Sequence, residues 1–372
     1  MDMRSYGNPV TELHKEATKL IKVLVVEDSL VVREFLVYLL GTDPDIRVVG
    51  TANNGEEAIE AVKRYRPDVI TMDIHMPKMD GLEATRRIME TEPVPIVIVS
   101  GSDDPLENTK TFRAMEAGAL AVLRRPAGVG HPDHEANARE LLQTVKAMSE
   151  VKVVRRWSRN RGGPTLPLVA KQQAIKVAKV KVIALGASTG GPPVLQTILA
   201  MLPRDFPLPV LIVQHMAAGF ITSFADWLTQ TSSLPVHVAR QGEIMLPGHV
   251  YVAPDECQMK VEHGGKIILT QDAPENGLRP AVSYLFRSLA ALYGGDVIAG
   301  LLTGMGRDGA EELRMLKENG AVTFAQDKES SVVHGMPGEA IKLDAATLVL
   351  APDKVAAVLV SLVNNKSRKE SQ

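Results

Sequence analysis

Disulfide chemistry is nearly absent from this chain: its one cysteine, Cys257, cannot close an internal bridge, and no Cys or His stands beside it at zinc-ligand spacing. A reducing cytoplasm is the compartment this usage suits. An excess of one charge is also lacking. The formal net charge is −2, which gives no reason to expect nucleic acid or an anionic membrane as the main partner. Long apolar runs are missing at both ends. The first residues carry Asp2, Glu12 and Glu16 without a continuous apolar core, so no signal peptide is expected. The apolar run from Ala345 to Val363 is broken by Pro352-Asp353-Lys354, which argues against a membrane span.

What is present is enough apolar material for two cores. The chain has 372 residues, 45% hydrophobic and 23% charged, a length that suits two ordinary domains. After an N-terminal extension (1–21), β-branched runs at Val23–Val26, Val69–Met72 and Ile96–Val99 alternate with helical-period segments at Leu30–Leu40 and Glu56–Tyr65. That alternation predicts a doubly wound parallel sheet over 22–148. Residues 149–180 read as a basic tether. Val151 to Lys181 holds nine Lys or Arg, no acid, and the turn-forming Gly162-Gly163-Pro164.

A second doubly wound α/β domain is expected over 181–365, followed by a polar tail (366–372). Its strands are predicted at Val182–Leu185, Val210–Val213, Val297–Leu302 and Ala321–Phe324, and its helices at Pro192–Met201, Ile221–Gln230, Val282–Leu292 and Ala310–Lys317. A hairpin-like insertion is expected from Val250–Ala253, Met259–Glu262 and Ile267–Leu269 around Gly264-Gly265.

In an open α/β sheet, ligands bind where loops leave the carboxyl ends of the strands. In the first domain those ends carry Glu27 and Asp28, Asp73, Ser100 and Arg125-Pro126. Clustered carboxylates repel unless a hard cation sits among them, and Mg²⁺ suits such an all-oxygen site. With a hydroxyl and a cation beside Asp73, the set suits a carboxylate that accepts a phosphoryl group.

In the second domain, Gly186-Ala187-Ser188-Thr189-Gly190-Gly191-Pro192 follows the first strand. Glycines around a serine at a strand-to-helix turn expose its hydroxyl at a helix N-terminus, where positive potential favours an oxyanion. A phosphate-binding loop is the competing reading, but the spacing is not Gly-x-Gly-x-x-Gly and no Lys follows. Where a ribose-binding acid should end the next strand, the chain has Gln214-His215. Asp308, in Thr303-Gly304-Met305-Gly306-Arg307-Asp308-Gly309, follows a third strand. Serine, base and acid thus converge in the order Ser, His, Asp, unlike the Ser, Asp, His order of an α/β-hydrolase. His334 is the rival base.

Residues 22–148 resemble the response-regulator receiver family, through Glu27-Asp28, Asp73-Ile74-His75-Met76-Pro77, Asp80-Gly81, Ser100 and Arg125-Pro126. Residues 180–363 resemble the chemotaxis protein-glutamate methylesterase family, CheB, through Gly186 to Gly191, Gln214-His215-Met216, Tyr251 to Pro254, Arg279-Pro280, Thr303 to Gly309 and Gly335-Met336-Pro337. The resemblance implies a flavodoxin-like receiver joined to a Rossmann-like esterase domain. It implies phosphorylation of Asp73 by a histidine kinase with Mg²⁺. It further implies hydrolysis of glutamate methyl esters on the cytoplasmic helices of chemoreceptors, releasing methanol, with glutamine deamidation in some members and no cofactor for the ester step.

Ser188 would be the nucleophile, His215 the base and Asp308 its orienting acid, with the N–H groups of Thr189 and Met305 binding the oxyanion. The unphosphorylated receiver would cover the mouth of the site. Three positions depart from the family pattern: Arg125 replaces the usual Lys, Gln258 a usual His, and Ser283 a frequent acid. The last two are expected to alter the substrate groove. A non-enzymatic response regulator and a pure glutamine deamidase are the alternative readings.

Overall fold

Apolar strands separated by amphipathic helices can bury both faces only as a parallel sheet wrapped on two sides, and both halves of the chain do this. The computed structural model describes residues 20–101, 112–151, 153 and 180–367. All but the last two residues of the expected N-terminal extension, nearly all of the basic tether and the end of the polar tail lie outside the described residues, and Ile21 already belongs to the first strand.

The first half contains β1 (Ile21–Val26), α1 (Leu30–Leu40), β2 (Ile46–Ala52), α2 (Gly55–Tyr65), β3 (Val69–Met72), α3 (Gly81–Thr91), β4 (Ile96–Ser100), β5 (Ala121–Arg124) and α4 (His134–Ser149). A helical stretch at 112–117 precedes β5. The five strands lie in the order β2-β1-β3-β4-β5, all parallel, which is the flavodoxin-like order. Helix starts are written into the sequence. Asn54 accepts from Glu57 N–H at 3.0 Å while Glu57 accepts from Asn53 N–H, also at 3.0 Å, and Asp80 accepts from Glu83 N–H at 2.8 Å.

The second half runs β6 (Val182–Ala187), α5 (Gly191–Ala200), β7 (Val210–Gln214), α6 (Ile221–Thr231), β8 (Val236–Val238), β9 (Val250–Val252), β10 (Gln258–Glu262) and β11 (Lys266–Thr270). It continues through α7 (Val282–Tyr293), β12 (Val297–Leu301), α8 (Ala310–Glu318), β13 (Val322–Gln326), α9 (Met336–Lys342), β14 (Leu348–Leu350) and α10 (Pro352–Ser367). Seven strands form one parallel sheet in the order β14-β13-β12-β6-β7-β9-β8. Alternation along β6 shows how both faces are buried. Ile183 and Leu185 pack toward α5, α6 and α10, whereas Val182 and Ala184 pack toward α7 and α8.

Three details differ from the sequence expectations. Val250–Val252 pairs in parallel with Val210–Ile212 as part of the main sheet, so the hairpin consists of β10 and β11 alone. Ala321 lies just past the end of α8, where its N–H caps the helix on Leu316 O at 3.0 Å, and β13 starts one residue later. The final helix runs to Ser367, beyond 365.

The two halves touch through an aromatic clamp. Phe112 lies 5.5 Å from the Trp227 ring, stacked, and 5.6 Å from Phe224. Trp227 Nε1–H donates to Glu116 Oε1 at 2.7 Å. Within the sheet, Gly300 is paired with Phe324, and a Cβ there would fall inside the phenyl ring. Gly300→Ala should therefore overpack the core and cost about 1–3 kcal/mol, read as a lower urea midpoint.

Candidate active site and phosphoacceptor pocket

The carboxyl ends of β1, β3, β4 and β5 bring together all the acids and cations expected of the first site. Glu27, Asp73 and Ser100 are buried, Asp28 is exposed, and one oxygen from each of Glu27, Asp28 and Asp73 lies within 4.8 Å of the others. Arg125 donates to Glu27 Oε2 at 3.1 Å and stands 3.9 Å from Asp73 Oδ1. Burial, joined by the neighbouring Asp73 charge, pushes the Glu27 carboxyl up to about 7. Burial likewise raises Asp73, against the lowering effect of Arg125. The larger guanidinium has room because residue 101 is glycine: a Cβ there would meet Arg125 at 2.8 Å.

At the second site, Ser188 leaves the carboxyl end of β6, central in the sheet with β7 on one side and β12 on the other. Gly190 has φ +77, a left-handed turn into α5 that also clears Val332, whose side chain a Cβ would meet at 2.6 Å. Ser188 N–H donates to Thr303 O at 3.0 Å. Gly304 comes so close that an added Cβ would lie 2.7 Å from Ser188 Cβ. The loop after β12 is thus pressed against the serine.

His215 follows β7, its N–H bonded to Ala187 O at 2.9 Å. Its Nε2 meets Asp308 Oδ2 at 2.9 Å. That leaves Nδ1 as the nitrogen able to exchange a proton. Ser188, Thr189, His215 and Met305 line one cavity of about 280 Å³. His334, the rival base, instead bonds Ser331 Oγ at 3.3 Å through Nδ1, and burial holds its imidazole below the ordinary value.

Asp308 is only 3% exposed. Its Oδ2 also accepts from Val282 N–H at 2.6 Å, while Oδ1 accepts from Ser283 N–H at 3.1 Å and Ser283 Oγ at 2.6 Å. Burial alone would raise this carboxyl. The hydrogen bond and charge of His215, with the Ser283 and Val282 donors, outweigh burial and hold it below the usual carboxylate value.

Gln258 is fully buried behind this group: its Oε1 accepts from Ala281 N–H at 2.8 Å and its Nε2 donates to Leu278 O at 3.1 Å. Both departures expected to alter a groove therefore lie behind the acid. Gln214 was not singled out for a role of its own, yet its amide donates at 2.8 Å to both Ser188 O and His215 O. Its place directly before His215 at a strand end was the available signal.

The receiver half closes the same cavity. Met115, Leu120, Leu123 and Glu140 line it opposite Ser188 and His215. The half-buried Glu140 carboxyl is pushed up by burial alone.

Fold and geometry together define a class: a receiver-like sheet seated on a domain that carries a serine, a histidine and a buried acid at its strand ends. Family models agree, with the response regulator receiver domain matching residues 23–131 and the CheB methylesterase matching residues 183–359. A protein-glutamate methylesterase/protein-glutamine glutaminase of Nitrosospira multiformis is 65% identical, over 92% of this chain and 97% of that one. One of the same description from Geobacter metallireducens is 59% identical, over 93% of this chain and 100% of that one. The crystal structure of the Thermotoga maritima CheB methylesterase catalytic domain is 39% identical, covering 50% of this chain and 100% of that one at a TM-score of 0.48. The chain belongs to the CheB methylesterase family.

Asp308→Asn keeps the shape but presents an amide N–H to a donor-lined pocket. It should lower stability at neutral pH by about 1–3 kcal/mol. Because the folded carboxyl is depressed, its contribution is present above the ordinary value of 3.8 and lost as pH falls below it. In urea titrations, the gap between variant and wild type should therefore narrow toward low pH.

Proposed function

We propose that this chain is a protein-glutamate methylesterase of a chemosensory pathway, hydrolysing glutamate methyl esters on the cytoplasmic helices of chemoreceptors and, by the same route, deamidating glutamine. The observation that carries this reading is the buried His215–Asp308 pair at 2.9 Å, opening on the cavity that Ser188 lines. Ser188 Oγ attacks the ester carbonyl while His215 Nδ1 takes its proton, and Asp308 steadies the imidazolium. The backbone N–H groups of Thr189 and Met305 suit the oxyanion, since neither has an acceptor among the described residues. His215 then returns the proton to the departing methanol, or to ammonia from glutamine, and water clears the acyl-enzyme by the reverse sequence. On this reading the ester step uses these side chains, the two backbone N–H groups and water.

The first site receives a phosphoryl group on Asp73 from a histidine kinase. Glu27, Asp28 and Asp73 fit Mg²⁺, because three carboxylates within 4.8 Å repel one another and Glu27 resists ionisation even with Arg125 beside it. When bound, the ion would neutralise phosphoryl oxygens. Ser100 and Arg125 stand where they would hold the transferred group. The unphosphorylated receiver acts as a lid on the esterase cavity, with Phe112 as its anchor, and phosphorylation releases it. No helix among the described residues is long and apolar enough to cross a membrane; the cytoplasm, where receptor helices and kinase are both reached, is the proposed location.

Two measurements test this. Ser188→Ala should lower methanol release from methylated receptor membranes by on the order of 10⁴-fold or more; rates equal to wild type would leave only a non-enzymatic regulator. Phe112→Ala in the unphosphorylated full chain should raise that rate roughly tenfold, by weakening the closed state. An unchanged rate would remove the lid.

A further inference from the structure

We propose that Ser283 is a positioning residue of the hydrolytic site, its hydroxyl clipping the Asp308 carboxylate to the backbone beside it and fixing the plane in which that carboxylate meets His215. The inference rests on the esterase reading above. Ser283 is the second residue of α7 and 4% exposed. Its backbone N–H reaches Asp308 Oδ1 at 3.1 Å, as Val282 N–H reaches Oδ2 at 2.6 Å, and any residue type there would supply those two donors. What serine adds is the hydroxyl. Ser283 Oγ accepts from Gly309 N–H at 3.0 Å, which commits the hydroxyl proton to Asp308 Oδ1 at 2.6 Å.

Only a group that accepts and donates at one atom can fill this place. Alanine does neither, and an ionised carboxylate can accept but not donate. Gly309 immediately follows Asp308 and has φ +82. The hydroxyl therefore ties the acid to its own next residue, through a ring too short to let the carboxylate rotate. It also spares a buried N–H from going unpaired. Each carboxylate oxygen now has two donors, so the oxygen facing His215 is neither displaced nor overloaded with charge.

Removing the hydroxyl should act on the histidine, not only on the fold. With one donor fewer, Asp308 carries more charge toward the imidazole, which favours the imidazolium and moves loss of activity in acid to higher pH. The experiment is methanol release by the full chain, wild type, Ser283→Ala and Ser283→Thr, across pH, with His215 titrated in each by imidazole NMR. Ser283→Ala should lose about 10- to 100-fold in kcat, with KM little changed and the acid limb and His215 midpoint both raised. Ser283→Thr, which keeps the hydroxyl, should restore all three.

Unmoved midpoints in Ser283→Ala, or Ser283→Thr behaving like Ser283→Ala, would overturn the assignment. A wild type no faster than Ser188→Ala would instead overturn the esterase reading, while the NMR midpoints would still decide the role of Ser283.

Discussion

A charge buried as deeply as that of Asp308 must be met by donors on every side, and the second half of the chain is laid out around that requirement. The front donor is His215, at the end of β7. From behind, α7 directs its first N–H groups at the carboxylate, where the helix dipole is positive. The hairpin braces that helix end, because Gln258 on β10 holds Ala281 N–H at 2.8 Å, one residue before α7 begins. A hairpin outside the main sheet thus serves the chemistry. Its contribution passes through one buried amide, one helix terminus and one carboxylate to an imidazole.

The two acid sites are built on opposite electrostatic terms. Asp308 has more donors than charge, so its carboxyl lies below the ordinary value despite burial. Asp73 and Glu27 share one guanidinium between them and are raised. An acid with its charge fully met is a fixed anchor that need not titrate as the histidine gains and loses a proton. A pocket short of positive charge has the opposite character: it has affinity left for a cation and for the group a cation accompanies. One residue type serves both purposes because its neighbours differ.

Much of this was legible in sequence because parallel sheets impose a rule: loops at strand carboxyl ends converge. Asp73, Ser188, His215 and Asp308 all follow strands whose apolar runs are unmistakable, so their convergence needed no knowledge of side-chain contacts. The choice of His215 over His334 came from its place after a predicted strand and from the family resemblance, and the structure adds the reason: His215 meets Asp308, whereas His334 bonds Ser331. Ser283 and Gln258 were misplaced for a related reason. One sits on a helix terminus and the other in a hairpin, and neither position carries a periodic signal that says which way it faces. Val250–Val252 looked like hairpin because three short runs in succession pattern alike, whereas partner choice depends on where β7 leaves its edge open. The Phe112–Trp227 contact had no sequence signature at all. It depends on how two separately folded surfaces meet.

That meeting surface has to satisfy a quantitative condition if it is to act as a switch. Moving an equilibrium from 1:99 to 99:1 takes about 5.5 kcal/mol of differential stabilisation, so a closed state held by much more than that could not be released by one modification. Phe112, stacked on Trp227 and tilted against Phe224, favours closure together with the Glu116 hydrogen bond. Glu140 opposes it. Its carboxyl is pushed up by burial, so exposing it to water on opening would relieve a cost that the closed state carries once Glu140 ionises. An apolar clamp with a buried acid at its edge is held nearer to balance than the clamp alone would be, and a lid near balance is one that a charge added at the far end of β3 can lift.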